Sequence, residues 1–256
     1  MALWPWKPSP FLEPAEEEWQ AEVWRWFLRN LGGLEDFRRS PLVTPTAEFF
    51  PATGSSGHAR ALKIFEHVKR HAGLWEWECE LVEQPSRADL RVGEVTAQVF
   101  EQHDPAGTFG VEGNKVVISY EPTQLDDPMA LIARYIHELG HYLLATIADP
   151  PPGGAQTEEL ATDLVTVYLG FGLFGANCAF HFERHSGAYS QGWSTARQGY
   201  LTERMWCYAL AIFFRLREED IAPAKPFLKS HLFTDLRKAT AYLRKHPERM
   251  PVPPSS

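Results

Sequence analysis

The chain has 256 residues, 44% of them hydrophobic, with nine Trp and a formal net charge of −8. That is enough apolar material for one large domain or two subdomains, and an acidic balance with no Lys/Arg block argues against nucleic acid as a partner. Cys79, Cys178 and Cys207 are scattered and odd in number, which excludes a fully paired disulfide frame or a Cys-type zinc site and fits a reducing, cytoplasmic compartment.

Residues 1–12 are broken by prolines and precede Glu16-Glu17-Glu18. They read as an irregular arm without the basic and apolar regions of a signal peptide. Residues 14–31 read as a helix, with Trp19, Val23, Trp26 and Phe27 at helical spacing and Gly32-Gly33 as its stop. Phe49-Phe50-Pro51 leads into a flexible loop, Thr53–Gly57, which lacks the GK[ST] ending of a phosphate loop. A second helix is expected over 58–72. His67 and His71 are four apart on it, but Val68-Lys69-Arg70 between them supplies no carboxylate, so they are read as a solvated face. The pattern then turns to strands. Trp75–Glu83 and Val92–Gln102 alternate polar and apolar residues, and Asn114–Tyr120, entered through Gly110–Gly113, is the clearest strand.

Beyond Asp127 helices are expected at 128–147, 158–173, 197–217 and 233–245. The first opens on Asp126-Asp127-Pro128, an N-cap followed by proline at the first helical position, and stops at Asp149-Pro150-Pro151-Pro152-Gly153-Gly154. Inside it lies His137-Glu138-Leu139-Gly140-His141, an HExxH sequence. Residues i and i+4 share a helix face, so both imidazoles can reach one metal ion, and Glu138 between them can take a proton from a water held there. Burying two histidines and a glutamate in an apolar helix is costly without a partner, and a metal supplies one. A catalytic zinc usually takes three protein ligands. The next helix begins at Thr157-Glu158-Glu159 and places Glu159 and Asp163 on one face. Glu159 is assigned as the third ligand, with Glu158 as the alternative. Asp163 is assigned as acceptor of the free ring N–H of a metal-bound histidine, His137 in the first place.

Leu164–Phe180 carries no charge, but its 17 residues sit at the lower limit for a membrane span and include Gly170, Gly172 and Gly175. A buried helix ending near Gly170–Gly175 is expected, and no membrane association. The same glycines match GxGxxG, but they follow a helix, so a nucleotide-binding turn is unsupported. His181 and His185 read as polar residues of a local loop or helix.

HELGH, a loop, and then Glu159-Leu160-Ala161-Thr162-Asp163 together resemble the gluzincins, the thermolysin-like zinc peptidases with HExxH followed by ExxxD. The resemblance spans Tyr135–Tyr168. The metzincin extension is absent, because Leu144 and Ile147 stand where its glycine and third histidine would be. The resemblance implies an α+β, zincin-like fold. Residues 1–125 would form an N-terminal α+β subdomain with a small twisted mixed sheet, and 126–256 a mainly helical one, with the active-site cleft between them. Phe109–Tyr120 would be the upper lip of that cleft, its edge strand pairing with an extended substrate, or else an ordinary hairpin. The resemblance also implies one Zn2+ on His137, His141 and Glu159, Glu138 as general base, and an oxyanion donor from the helical half. His181, His185, Tyr189, Tyr200 and His231 are the candidates for that donor, and no motif selects among them.

The expected function is therefore that of a zinc-dependent metallopeptidase acting on peptide or protein substrates. Two other readings stay open. One is a zincin-like metal-binding module that serves regulation without catalysis. The other is a zinc hydrolase of a non-peptide bond.

Overall fold

A computed structural model describes residues 10–52, 54–84, 109–112, 115–185 and 200–252. Helix α1 (Pro14–Asn30) starts with a reciprocal capping box between Glu13 and Glu16 and buries Val23, Trp24, Trp26 and Phe27. The helix stops ahead of Gly32-Gly33, as expected, and those glycines turn the chain into a short second helix, α2 (Gly33–Arg39). The sequence gives little sign of α2. It is held by Phe37, whose ring packs among Trp24, Tyr168 and Phe213. Helix α3 spans Gly57–His71.

Strands β1 (Cys79–Glu83), β2 (Phe109–Glu112) and β3 (Lys115–Tyr120) form a mixed sheet of order β1-β3-β2. β1 runs parallel to β3, and β2 pairs with β3 as an antiparallel hairpin. The expected lip is thus a hairpin whose clearest strand lies in the middle of the sheet. Both neighbours of β3 are taken, which leaves β2 as the edge on that side among the described residues, and β2 and β3 both lie against the helix that follows. The alternation from Trp75 yields a strand only from Cys79, because the Trp77 N–H is held in a turn by the Leu74 carbonyl. The expected strand at Val92–Gln102 lies outside the described residues.

Among the described residues five α-helices follow: α4 (Pro128–Ala145), α5 (Glu158–Tyr168), α6 (Gly172–His185), α7 (Glu203–Arg217) and α8 (Ser230–Lys245). The helix expected over 158–173 ends at Tyr168, and a further helix, α6, restarts at Gly172. Gly170 parts the two with a left-handed φ of 89°. A Cβ there would overlap the Pro41 carbonyl, and the Gly170 carbonyl accepts the Val43 N–H at 3.0 Å. Gly172 and Gly175 sit where α6 presses on α7, with the Leu210 side chain and the Trp206 ring in the space a methyl would need. The GxGxxG pattern is therefore explained by close packing. Helix α7 starts at Glu203, later than expected, because the Thr202 hydroxyl caps it by accepting the Met205 N–H.

The buried apolar side chains form one cluster drawn from both halves of the sequence, from Val23 and Trp24 through Ile118 and Leu139 to Phe213 and Leu243. No helix among the described residues is long and apolar enough to cross a membrane.

Candidate metal centre

The Asp127 side chain accepts the Ala130 N–H, and Pro128 occupies the first helical position, so α4 begins where the sequence signals it. Leu131, Ile132, Tyr135, Ile136 and Leu139 fix α4 in the core, which leaves His137, Glu138 and His141 no freedom of helical phase. α5 crosses close by at Gly140. A Cβ on that glycine would stand 3.0 Å from Val165 Cγ1 and 3.1 Å from Thr162 Cγ2. A small residue inside HELGH thus brings the histidine face of α4 against the acidic face of α5.

Three ligand atoms converge there. His137 Nε2 lies 3.1 Å from His141 Nε2 and 3.2 Å from Glu159 Oε2, and His141 Nε2 lies 3.4 Å from Glu159 Oε2. Zinc bonded tetrahedrally at about 2.0–2.1 Å sets its ligand atoms about 3.3–3.4 Å apart, so the three atoms already form one face of such a tetrahedron. The three side chains can hold one metal ion. Glu158 is exposed and lies outside the cluster.

The surrounding hydrogen bonds fix which ring nitrogen faces inward. Asp163 Oδ1 lies 3.0 Å from His137 Nδ1, and Asp163 Oδ2 accepts the Leu201 backbone N–H at 2.9 Å. As a carboxylate, Asp163 can only accept, so His137 carries its proton on Nδ1. The Thr162 hydroxyl donates to the Glu158 carbonyl at 3.0 Å, and its oxygen faces His141 Nδ1 at 3.4 Å. Both imidazoles are thereby assigned as Nδ1–H tautomers with the Nε2 lone pairs turned to Glu159 Oε2. Three lone-pair donors this close repel unless a cation lies between them.

Without a metal, a proton on His137 fills that role. Burial pushes the His137 pKa down, but hydrogen bonds to Asp163 and Glu159 outweigh it and lift it to about 10. Burial pushes Glu159 up, and the two imidazoles more than reverse this, holding it well below the usual carboxylate range. A metal would take the place of that proton.

Glu138 is buried beside this cluster, and Arg134 Nη1 lies 3.5 Å from its Oε1. Arg134 is itself buried. Sequence reading did not single it out, although the i,i+4 spacing to Glu138 is visible. Thr162 and the Leu201 N–H were also missed, since only the tertiary fold brings them to the site. Of the donor candidates, Tyr200 has its ring 6.0 Å from that of His137, next to the anchored Leu201. His231 is paired with Glu203 at 3.1 Å. His181 and His185 fall on the last turns of α6, where only the backbone is described, and Tyr189 lies outside the described residues. His67 and His71 are not a solvated face. They are partly buried and stack on each other, and His71 Nε2 lies 3.0 Å from the Phe49 carbonyl. Among the described residues, His137, His141 and Glu159 are the group of such side chains close enough to share an ion.

Comparison with protein-family models, with curated proteins and with solved structures finds no significant match, so the site is read from its own geometry.

Proposed function

We propose that the chain is a zinc-dependent hydrolase of peptide bonds. The observation that supports this most directly is the convergence of three lone pairs at tetrahedral spacing in a largely buried site. His137, His141 and Glu159 would bind the ion, which would supply Lewis acidity and an activated water when present. Asp163 holds the His137 ring in the tautomer that offers Nε2. Glu138 is the one carboxylate of the motif left off the metal. It would take the proton from the attacking water and pass it to the leaving amine. Arg134 would hold that carboxylate in place. The chain would work in a reducing compartment, where its three free thiols persist.

One observation favours the non-catalytic reading. Glu138 is only 4% exposed and pairs with a buried guanidinium, as a structural carboxylate would. One set of experiments separates the readings. Elemental analysis of protein purified without added metal should give about one zinc per chain, with a marked loss in Glu159→Ala. Fluorescein-casein should then be cleaved by the wild type, while Glu138→Gln keeps its zinc and loses cleavage. Zinc without cleavage of peptide substrates supports the metal-binding module or a hydrolase of another bond. No zinc in either protein, even when it is offered, removes the metal reading altogether.

A further inference from the structure

The three ligands are not held equally. His137 and His141 lie inside α4, whereas Glu159 is the second residue of α5, just past the single 3-10 turn, Gly154–Thr157, that joins the helix to the preceding loop. The hydroxyl of the N-cap residue does not cap the helix. Thr157, at the N-cap, turns its hydroxyl back to the Pro152 and Gly154 carbonyls, at 2.9 and 3.2 Å. Glu159 is also the most exposed of the three, its side chain 39% accessible against 9% and 17% for the imidazoles. The third ligand therefore depends on the loop from α4 to α5.

That loop is gripped from outside by α1. Trp26 Nε1–H donates to Asp149 Oδ2 at 3.2 Å, and Trp19 Nε1–H donates to the Pro152 carbonyl at 3.0 Å. The two indoles are seven residues apart, on one face of α1, and reach the two ends of the proline run. Pro152 O accepts both the Trp19 indole and the Thr157 hydroxyl, so a continuous line of hydrogen bonds runs from α1 to the start of α5. Gly153 closes the loop, with the Thr157 side chain in the space its Cβ would need.

We infer that Trp19 and Trp26 are positioning residues for the metal ligand Glu159: their indole N–H groups clamp the Asp149–Pro152 loop and so set the affinity of the metal site. This rests on the metal-binding reading above.

The test is zinc affinity, measured by competition with a chromogenic chelator, together with the melting temperature of the zinc-free protein. Trp26→Phe and Trp19→Phe keep an aromatic ring but remove the pyrrole part of the indole with its N–H, which at the buried Trp26 leaves a small cavity. Each should weaken zinc binding by about five- to tenfold, the worth of one hydrogen bond, with the zinc-free melting temperature falling no further than that of Trp24→Phe, which loses the same ring volume. Trp24→Phe is the control. It lies on the same helix, fully buried, and its Nε1 has no hydrogen-bond partner among the described residues, so its affinity should match the wild type. Asp149 is exposed, so Asp149→Ala leaves the core intact and should reproduce the Trp26→Phe loss, while Asp149→Asn keeps an acceptor and should restore affinity. Zinc affinity equal to the wild type in Trp26→Phe, Trp19→Phe and Asp149→Ala would overturn the clamp and leave the metal site standing. A fall in zinc-free stability with unchanged affinity would likewise overturn it. A wild type that binds no zinc would remove both.

Discussion

Asp163 has a larger share in the site than its distance from the metal position suggests. Its Oδ1 faces His137 Nδ1 while its Oδ2 accepts the Leu201 N–H, so one buried carboxylate fixes an imidazole tautomer and anchors the chain entering α7. Asp163→Asn keeps the size and can still accept from one of the two. Its NH2 can also donate to Nδ1, which would favour the tautomer whose Nε2 carries the proton and faces the ion. Zinc affinity should fall about 10–100-fold, the usual cost of losing a carboxylate behind a metal-bound histidine. Competition titration against a chelator checks this, with the fold followed by circular dichroism. Unchanged affinity would mean that Asp163 serves the α5–α7 contact alone. The residue pattern itself was legible. His137, Glu138, His141, Glu159 and Asp163 could be named from spacing because all five lie on two helices, where i, i+4 geometry is rigid. Thr162 and Leu201 could not, since a threonine hydroxyl or a backbone N–H gains its role only from the neighbour that the tertiary fold brings to it.

At the scale of elements, the crossing of α4 and α5 fixes how far the imidazoles stand from Glu159, and Gly140 sets that crossing. Gly140→Ala gains helix propensity of about 1 kcal/mol, but its methyl would stand 3.0–3.1 Å from Val165 Cγ1 and Thr162 Cγ2. Overpacking of this kind costs about 1–3 kcal/mol, so a net loss of stability and a weaker metal site are expected. Val165→Ala removes one of the two contacts and should recover part of the zinc affinity in the double variant. The cycle of four proteins, read by denaturant unfolding and zinc titration, checks this. Additive losses would show that the helices part freely and that Gly140 does not set their spacing. Element boundaries were legible where the signals are local. α4 carries its own cap, proline and stop, and the structure places it at Pro128–Ala145 against an expected 128–147. The end of α5 near Gly170 was legible from the glycines, but the restart as α6 was not, nor was the reason for the break, since Gly170 admits the carbonyl of Pro41, a residue remote in sequence. α2 was missed for a like reason: seven residues make a poor helix alone, and Phe37 docking among aromatic rings holds it.

Across the whole molecule, the same apolar core that fixes α4 also seals two thiols. Burial pushes Cys178 and Cys207 each up to about 12, while Cys79, on β1, an edge strand among the described residues, is only partly buried and raised less. A thiol reagent at pH 8 should therefore label Cys79 first in the native protein and all three cysteines after denaturation, since the thiolate is the reactive form. The alkaline limb follows from the same shifts. A group whose acid pKa is higher folded than unfolded keeps its proton in the fold while the unfolded chain loses it. Stability is then lost as pH rises above the unfolded value of about 8.5, and the loss continues until the folded group ionises near 12. Each thiol contributes a slope of about 1.4 kcal/mol per pH unit over that interval, so the pair contributes roughly twice that. Cys178→Ala with Cys207→Ala removes this term but leaves small cavities, so at pH 8 the double variant should be less stable than the wild type. The deficit should shrink steadily between pH 9 and pH 11, because only the wild type carries the thiol penalty, whereas the buried tyrosines titrate alike in both proteins. Urea unfolding of the pair at pH 8, 9, 10 and 11 measures it. A deficit that stays constant with pH would mean that the two thiols reach solvent in the folded chain, and that the α6–α7 layer of the core is looser than its packing against Gly172 and Gly175 requires.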